Sequence, residues 1–141
     1  MTNQEINERI AAITGFHDKV GLKKRGLWYR PEACGYTNCE CEAGRFTLEE
    51  AKKREYLLYE PVTIHRFKTP NYAESLDACK EFEGAIGKQA LEYYAENLAV
   101  AVWGSAIGNT MSYLGVAQLI TATPLQRCEA FLRLKGQWDE N

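Results

Sequence analysis

The chain has 141 residues, a formal net charge of −2, and hydrophobic and charged fractions of 45% and 26%, the balance of a globular protein that buries its own core. The near-neutral charge excludes a general polyanion binder, since no overall field draws the chain to nucleic acid or to an anionic membrane. No apolar run approaches the roughly 20 residues of a membrane helix, and the polar start MTNQEINERI is not a secretory signal. The chain is therefore expected in the cytoplasm, with its five cysteines reduced and structural disulfides not expected.

The first predicted element is a helix over TNQEINERIAAITG: Thr2 caps it, Glu5 completes a capping box and Gly15 closes it. Ile6, Ile10 and Ile13 share one face. A glycine-containing basic stretch with Lys23, Lys24 and Arg25 leads into a strand at Leu27 to Arg30. Turn formers dominate Glu32 to Arg45, and a second capping box, Thr47 with Glu50, starts a helix from Leu48 to about Leu57. A strand is expected around Val62 to Phe67, between Pro61 and Pro70.

Helical spacing then links Tyr72, Leu76, Cys79, Phe82 and Ile86, and continues through Leu91, Tyr94, Leu98 and Val102. The end of that second run reads equally as strand, and Gly104 to Ile120 is open between sheet and helix. The last helix has Thr123 as cap, Pro124 at its first position and Gly136 as stop, with Leu125, Cys128, Phe131 and Leu132 as its buried stripe. With neither a linker nor a repeat, the expectation is a single α+β domain over residues 1–141, a small sheet with helices packed on both faces. A turn-rich hairpin module occupies about 26–47.

Three sets of residues together resemble a known family. LWYRPEACGYTNCECEAGRFTLEEAKKREY resembles a motif of phage and prophage proteins, TPNYAESLDA and ATPLQRCEAFLRLKGQW are similar to elements of the phage ABA sandwich domain, and together, in the same order, they cover most of the chain outside Ala85 to Thr121. The resemblance implies a three-layer fold and a gene carried by a phage or prophage. It implies no activity.

The span from Arg25 to Glu55 concentrates the candidate chemistry, and three readings of it are open. Cys34, Cys39 and Cys41 place three thiols close in sequence, and His17 or His65 completes a tetrahedral zinc set, although the second ligand pair of a zinc finger is absent. In the second reading, Gly35-Tyr36-Thr37 and Ala43-Gly44-Arg45 form an anion cradle ahead of a helix N-terminus. There Arg30 and Arg45 donate to phosphate, while Trp28, Tyr29, Tyr36 and Phe46 offer faces that stack on a base and Thr37 lines the turn. The third reading is a plain hairpin, in which glycines turn the chain and the arginines pair with Glu32, Glu40 or Glu42.

No serine-nucleophile elbow or phosphate-loop motif is present, and the two histidines are His17 and His65. The sequence therefore points away from catalysis and names no catalytic residue. The expected role is a phage-encoded counter-defence protein in the bacterial host cytoplasm. It would sequester a small nucleotide-like host signal, or block a host defence protein, as a homo-oligomer. A zinc-stabilised protein–protein interaction module and a cysteine-dependent enzyme are the alternatives, the latter through Cys34 or Cys79 with His65.

Overall fold

The structure, a computed structural model, describes residues 1–57, 62–105 and 118–140. Its helices are α1 (Asn3–Ile13), α2 (Leu48–Leu57), α3 (Leu76–Gly84), α4 (Lys88–Trp103) and α5 (Pro124–Leu134), and its strands are β1 (Lys19–Lys24), β2 (Leu27–Tyr29), β3 (Tyr36–Thr37), β4 (Phe46–Thr47) and β5 (Thr63–Arg66). The chain is α+β, as expected, and the five strands form one antiparallel sheet. Its residues fall into two compact units, Gly15–Thr69 and Met1–Thr14 with Pro70–Asn141.

In Gly15–Thr69 the organising element is β1, which the sequence reading passes over as a basic, glycine-containing approach. Lys23 pairs with both Trp28 of β2 and Thr63 of β5, and Val20 with both Phe46 of β4 and Arg66 of β5. Strand β5 therefore runs along one edge of β1, while β2 and β4 share the other edge in succession. Strand β3 extends the sheet beyond β2, with Tyr29 opposite Tyr36 and Trp28 opposite Thr37.

Side chains alternate between the faces of a strand, and the two faces of this sheet differ. One face buries Val20, Leu22, Tyr29 and Phe46 with Ala51 of α2 and Val62, and Ile64 packs against them. Helix α2 starts here because Thr47 and Glu50 form the predicted capping box: the Glu50 amide donates to Thr47 Oγ1 at 3.2 Å, and the Thr47 amide donates to the Glu50 carboxylate at 2.9 Å. Such a cap is worth about 1 kcal/mol.

The opposite face is aromatic. Trp28 stacks on Phe67 with ring centroids 5.2 Å apart and meets His65 edge-on at 5.9 Å, while Phe16 meets Phe67 at 6.4 Å. These rings lie directly on the strand because Gly21 has no side chain. A Cβ there would stand 2.5 Å from Trp28 and 2.8 Å from Phe67.

The second unit is helical. Helix α1 carries its predicted capping box at Thr2 and Glu5, α5 carries one at Thr123 and Gln126 with Pro124 next in the chain, and α4 stays helical to Trp103. Helix α5 packs on α4, α3 and α1, burying Cys128, Phe131 and Leu132 with Ile6, Ile10, Tyr72, Cys79, Phe82 and Leu98. Leu125, predicted in the buried stripe of the last helix, stands exposed instead, as do Leu76 and Leu91 of the helical runs. Each lies in the first turn of its helix, at the margin of the packed layer. Of the segment left open between sheet and helix, residues 106–117 lie outside the described residues.

Gly21→Ala is expected to lower folding stability by about 1–3 kcal/mol, because both rings must move off the strand. Chemical denaturation of the variant beside the parent chain measures it. An unchanged midpoint would mean that the rings do not rest on β1.

Candidate functional site

The β1–β2 hairpin turns on two residues, Arg25 and Gly26, with φ of 51° and 81°. Two successive positive φ values are the signature of the tight hairpin turn whose twist matches that of its strands. The turn holds Arg25 out in solvent, beside Lys24 on one strand and Leu27 on the next. Lys24, Leu27, Tyr29 and Tyr36 all belong to the face that carries α2, and Leu27 and Tyr36 are 40% and 43% exposed. They form a shelf at the hairpin end.

The floor of this shelf is a pair of phenols. The Tyr36 hydroxyl donates to the Tyr29 hydroxyl at 3.4 Å, and their rings lie 4.8 Å apart. Lys24 Nζ stands 5.8 Å from the centre of the Tyr36 ring. Burial pushes Tyr29 up to about 12, as does the hydrogen bond that its hydroxyl gives to Tyr36 once Tyr36 ionises. Tyr36 is held below the ordinary tyrosine range, first by its hydrogen bond with Tyr29 and then by Lys24 and Arg25. Tyr36 thus presents an exposed ring with Lys24 and Arg25 near its hydroxyl.

The predicted ligand residues do not form one cradle. Strand alternation puts Tyr36 and Phe46 on the α2 face, and Trp28, Thr37 and Arg45 on the aromatic face. Phe46 is buried in the core, with the Arg54 guanidinium 5.0 Å over its ring. Trp28 is buried beneath Lys23, whose Nζ lies 4.2 Å over it. Arg45 is exposed and spreads over Phe16 at 4.8 Å and Phe67 at 5.6 Å. Thr37 is buried and donates to Glu42 at 2.7 Å, the same carboxylate oxygen that Arg30 reaches at 3.0 Å. Of the predicted residues, Tyr36 alone combines an exposed ring with neighbouring cations. Both Arg30 and Glu42 are about half exposed, so their pair is worth no more than about 1 kcal/mol.

The predicted thiolate set is also rearranged. Cys39 and Cys41 are joined in a disulfide with Cα atoms 5.3 Å apart, contrary to the expectation of reduced thiols, and Cys34 is free and exposed. The single helical turn Glu40–Glu42 folds the two cysteines toward each other, so two of the three expected zinc ligands hold one another. Among the described residues no group of three or more His, Cys, Asp or Glu side chains is placed to hold a metal ion.

The helical unit holds a further titratable cluster that the sequence reading did not assemble. Glu83 accepts from Tyr94 at 2.6 Å and from Arg127 at 2.8 Å, and Arg127 also donates to the carbonyls of Ala122 and Ile120 at 3.1 and 2.8 Å. Burial drives the Tyr94 hydroxyl far above its usual range. Beside them the fully buried Cys79 and Cys128 share a hydrogen bond, which lowers Cys79 and raises Cys128. Cys79 also donates to the Tyr72 carbonyl at 3.2 Å. Every polar member of this cluster has a partner inside the helical unit and neither thiol reaches solvent, so it fastens the start of α5 to α3 and α4. His65, the expected partner of a reactive cysteine, instead meets Thr63 Oγ1 through Nε2 at 2.7 Å and the edge of Trp28.

Charge is unevenly divided between the units. Residues 15–69 contain eleven lysines and arginines against eight acidic residues, and the remainder six against eleven. The shelf thus belongs to the cationic part of the chain. Comparison with family models, with curated proteins and with solved structures finds no match. The resemblance to the phage ABA sandwich domain rests on its motifs alone.

Alkaline titration followed by phenolate absorbance tests the pair. Tyr36 is expected to ionise below ordinary tyrosines and Tyr29 near 12, so Tyr36→Phe removes the early step and leaves the late one. An unfolded tyrosine ionises at about 10. The stability linked to neutral Tyr29 is therefore present below that pH and lost as pH rises to about 12. Difference spectra with a single ordinary step would contradict the pairing.

Proposed function

We propose that the chain is a phage-encoded, non-enzymatic binding protein that takes up a small phosphate-bearing nucleotide signal of the host, with the hairpin shelf as its point of contact. One observation carries the reading: an exposed Tyr36 ring with Lys24 at its side and Arg25 at the adjoining turn. A nucleobase stacks on the ring, and each good stacking contact contributes about 1–3 kcal/mol. Lys24 and Arg25 neutralise the phosphate. The phage setting comes from the motif resemblance, and counter-defence is the purpose that sequestering a host signal serves. Ligand-enclosing pockets bury most of their ligand, whereas the shelf is open. A second copy of the chain laid over it completes the enclosure, which is the reason to retain the expected homo-oligomer. No described helix is long and apolar enough to cross a membrane.

Thermal denaturation against a panel of cyclic and linear nucleotides tests the proposal. At least one should raise the melting temperature in proportion to the logarithm of its concentration once in excess. The Lys24→Glu, Arg25→Glu double variant should lose that rise while its unliganded melt changes little, because both side chains lie at the hairpin end. A flat panel would overturn the reading, as would a rise that survives the double variant.

A further inference from the structure

We propose that the Cys39–Cys41 disulfide is a reversible exchange site for low-molecular-weight thiols. The two cysteines are separated by one residue and their disulfide spans a single helical turn, Glu40–Glu42. A loop this short removes little conformational entropy from the unfolded chain, so the fold does not depend on the bond for its stability. Access is open, with Cys41 exposed and Cys39 partly exposed. Exposed disulfides are the ones that small thiolates reach, and they are the labile class.

The turn is also held independently of its sulfurs. Glu40 accepts from the Lys68 amide at 2.7 Å, and Glu42 from Thr37 at 2.7 Å and Arg30 at 3.0 Å, while the Cys39 amide donates to Thr37 Oγ1 at 3.1 Å. These contacts anchor the turn on both sides of the cysteine pair. After reduction they keep the two thiols near one another, so that the bond can close again.

The exchange proceeds in two displacements. A small thiolate attacks the exposed Cys41 sulfur, and the Cys39–Cys41 bond breaks. Cys39 leaves as a thiolate and takes a proton from water. A second thiolate attacks the outer sulfur of the mixed disulfide and releases Cys41 as a thiolate, which is protonated in turn. Two thiols are oxidised to one small-molecule disulfide, and the protein disulfide is reduced to two thiols. The reverse sequence, driven by the small-molecule disulfide, restores the bond.

The experiment equilibrates the full chain in mixtures of reduced and oxidised glutathione, quenches with acid, alkylates free thiols and reads each cysteine by peptide mass spectrometry. Circular dichroism melts of the same samples report folding. The expected result is a reversible shift of more than half of the Cys39–Cys41 population across the series. Cys79 and Cys128 stay as unmodified thiols and the melt stays cooperative throughout. Cys34→Ser should show the same transition. A disulfide unmoved across the series, one reduced only when the chain unfolds, a dithiol that never recloses, or a transition lost in Cys34→Ser would each overturn the assignment.

Discussion

A missing side chain organises the sheet. Gly21 lets Trp28 and Phe67 approach a Cβ position to within 2.8 Å, and so β1 carries rings on one face and the aliphatic core under α2 on the other. A strand covered on both faces needs neighbours on both edges to satisfy its backbone. β5 supplies one edge, and β2 and β4 the other. The positions of the hairpin turn, the phenol pair and the start of α2 all follow from that pairing.

The same geometry decides which residues can act together. Trp28 and Tyr29 are adjacent in sequence and face opposite ways, which gives the tryptophan to the aromatic layer and leaves the tyrosine beneath Tyr36. Cations are distributed likewise. Lys23 and Arg45 cover rings on the aromatic face, whereas Lys24 stands beside the shelf and Arg25 projects from the turn. What gathers around Tyr36 is a smaller group than composition alone suggests, set where the hairpin runs out beyond the cover of α2. The disulfide turn lies near it in sequence and holds Arg30 and Thr37 through Glu42.

Features encoded within a few residues were legible in the sequence. The capping boxes at Thr2, Thr47 and Thr123 need only a hydroxyl and a carboxylate or amide three residues on, and each marks a helix start in the structure. Features that depend on pairing were not. β1 reads as polar because Lys19, Lys23 and Lys24 surround Gly21, and only the distant Trp28 and Phe67 make that glycine meaningful. Face assignment required the register of β1 with its partners, so a cradle spanning Arg30 to Phe46 looked continuous when the pleat divides it. Cys39 and Cys41 look in sequence like two ligands for one metal, and the tight turn at Glu40–Glu42 bonds them to each other instead. The Glu83, Tyr94 and Arg127 cluster joins three helices, and no local spacing announces it.

Native-state amide hydrogen exchange over Gly15–Thr69 tests the central claim, that β1 is the covered axis of its sheet. The amides of Val20, Gly21 and Leu22 should be the slowest of the unit, opening only with its global unfolding. Exchange at those positions as fast as at the Arg25–Gly26 turn would contradict the account.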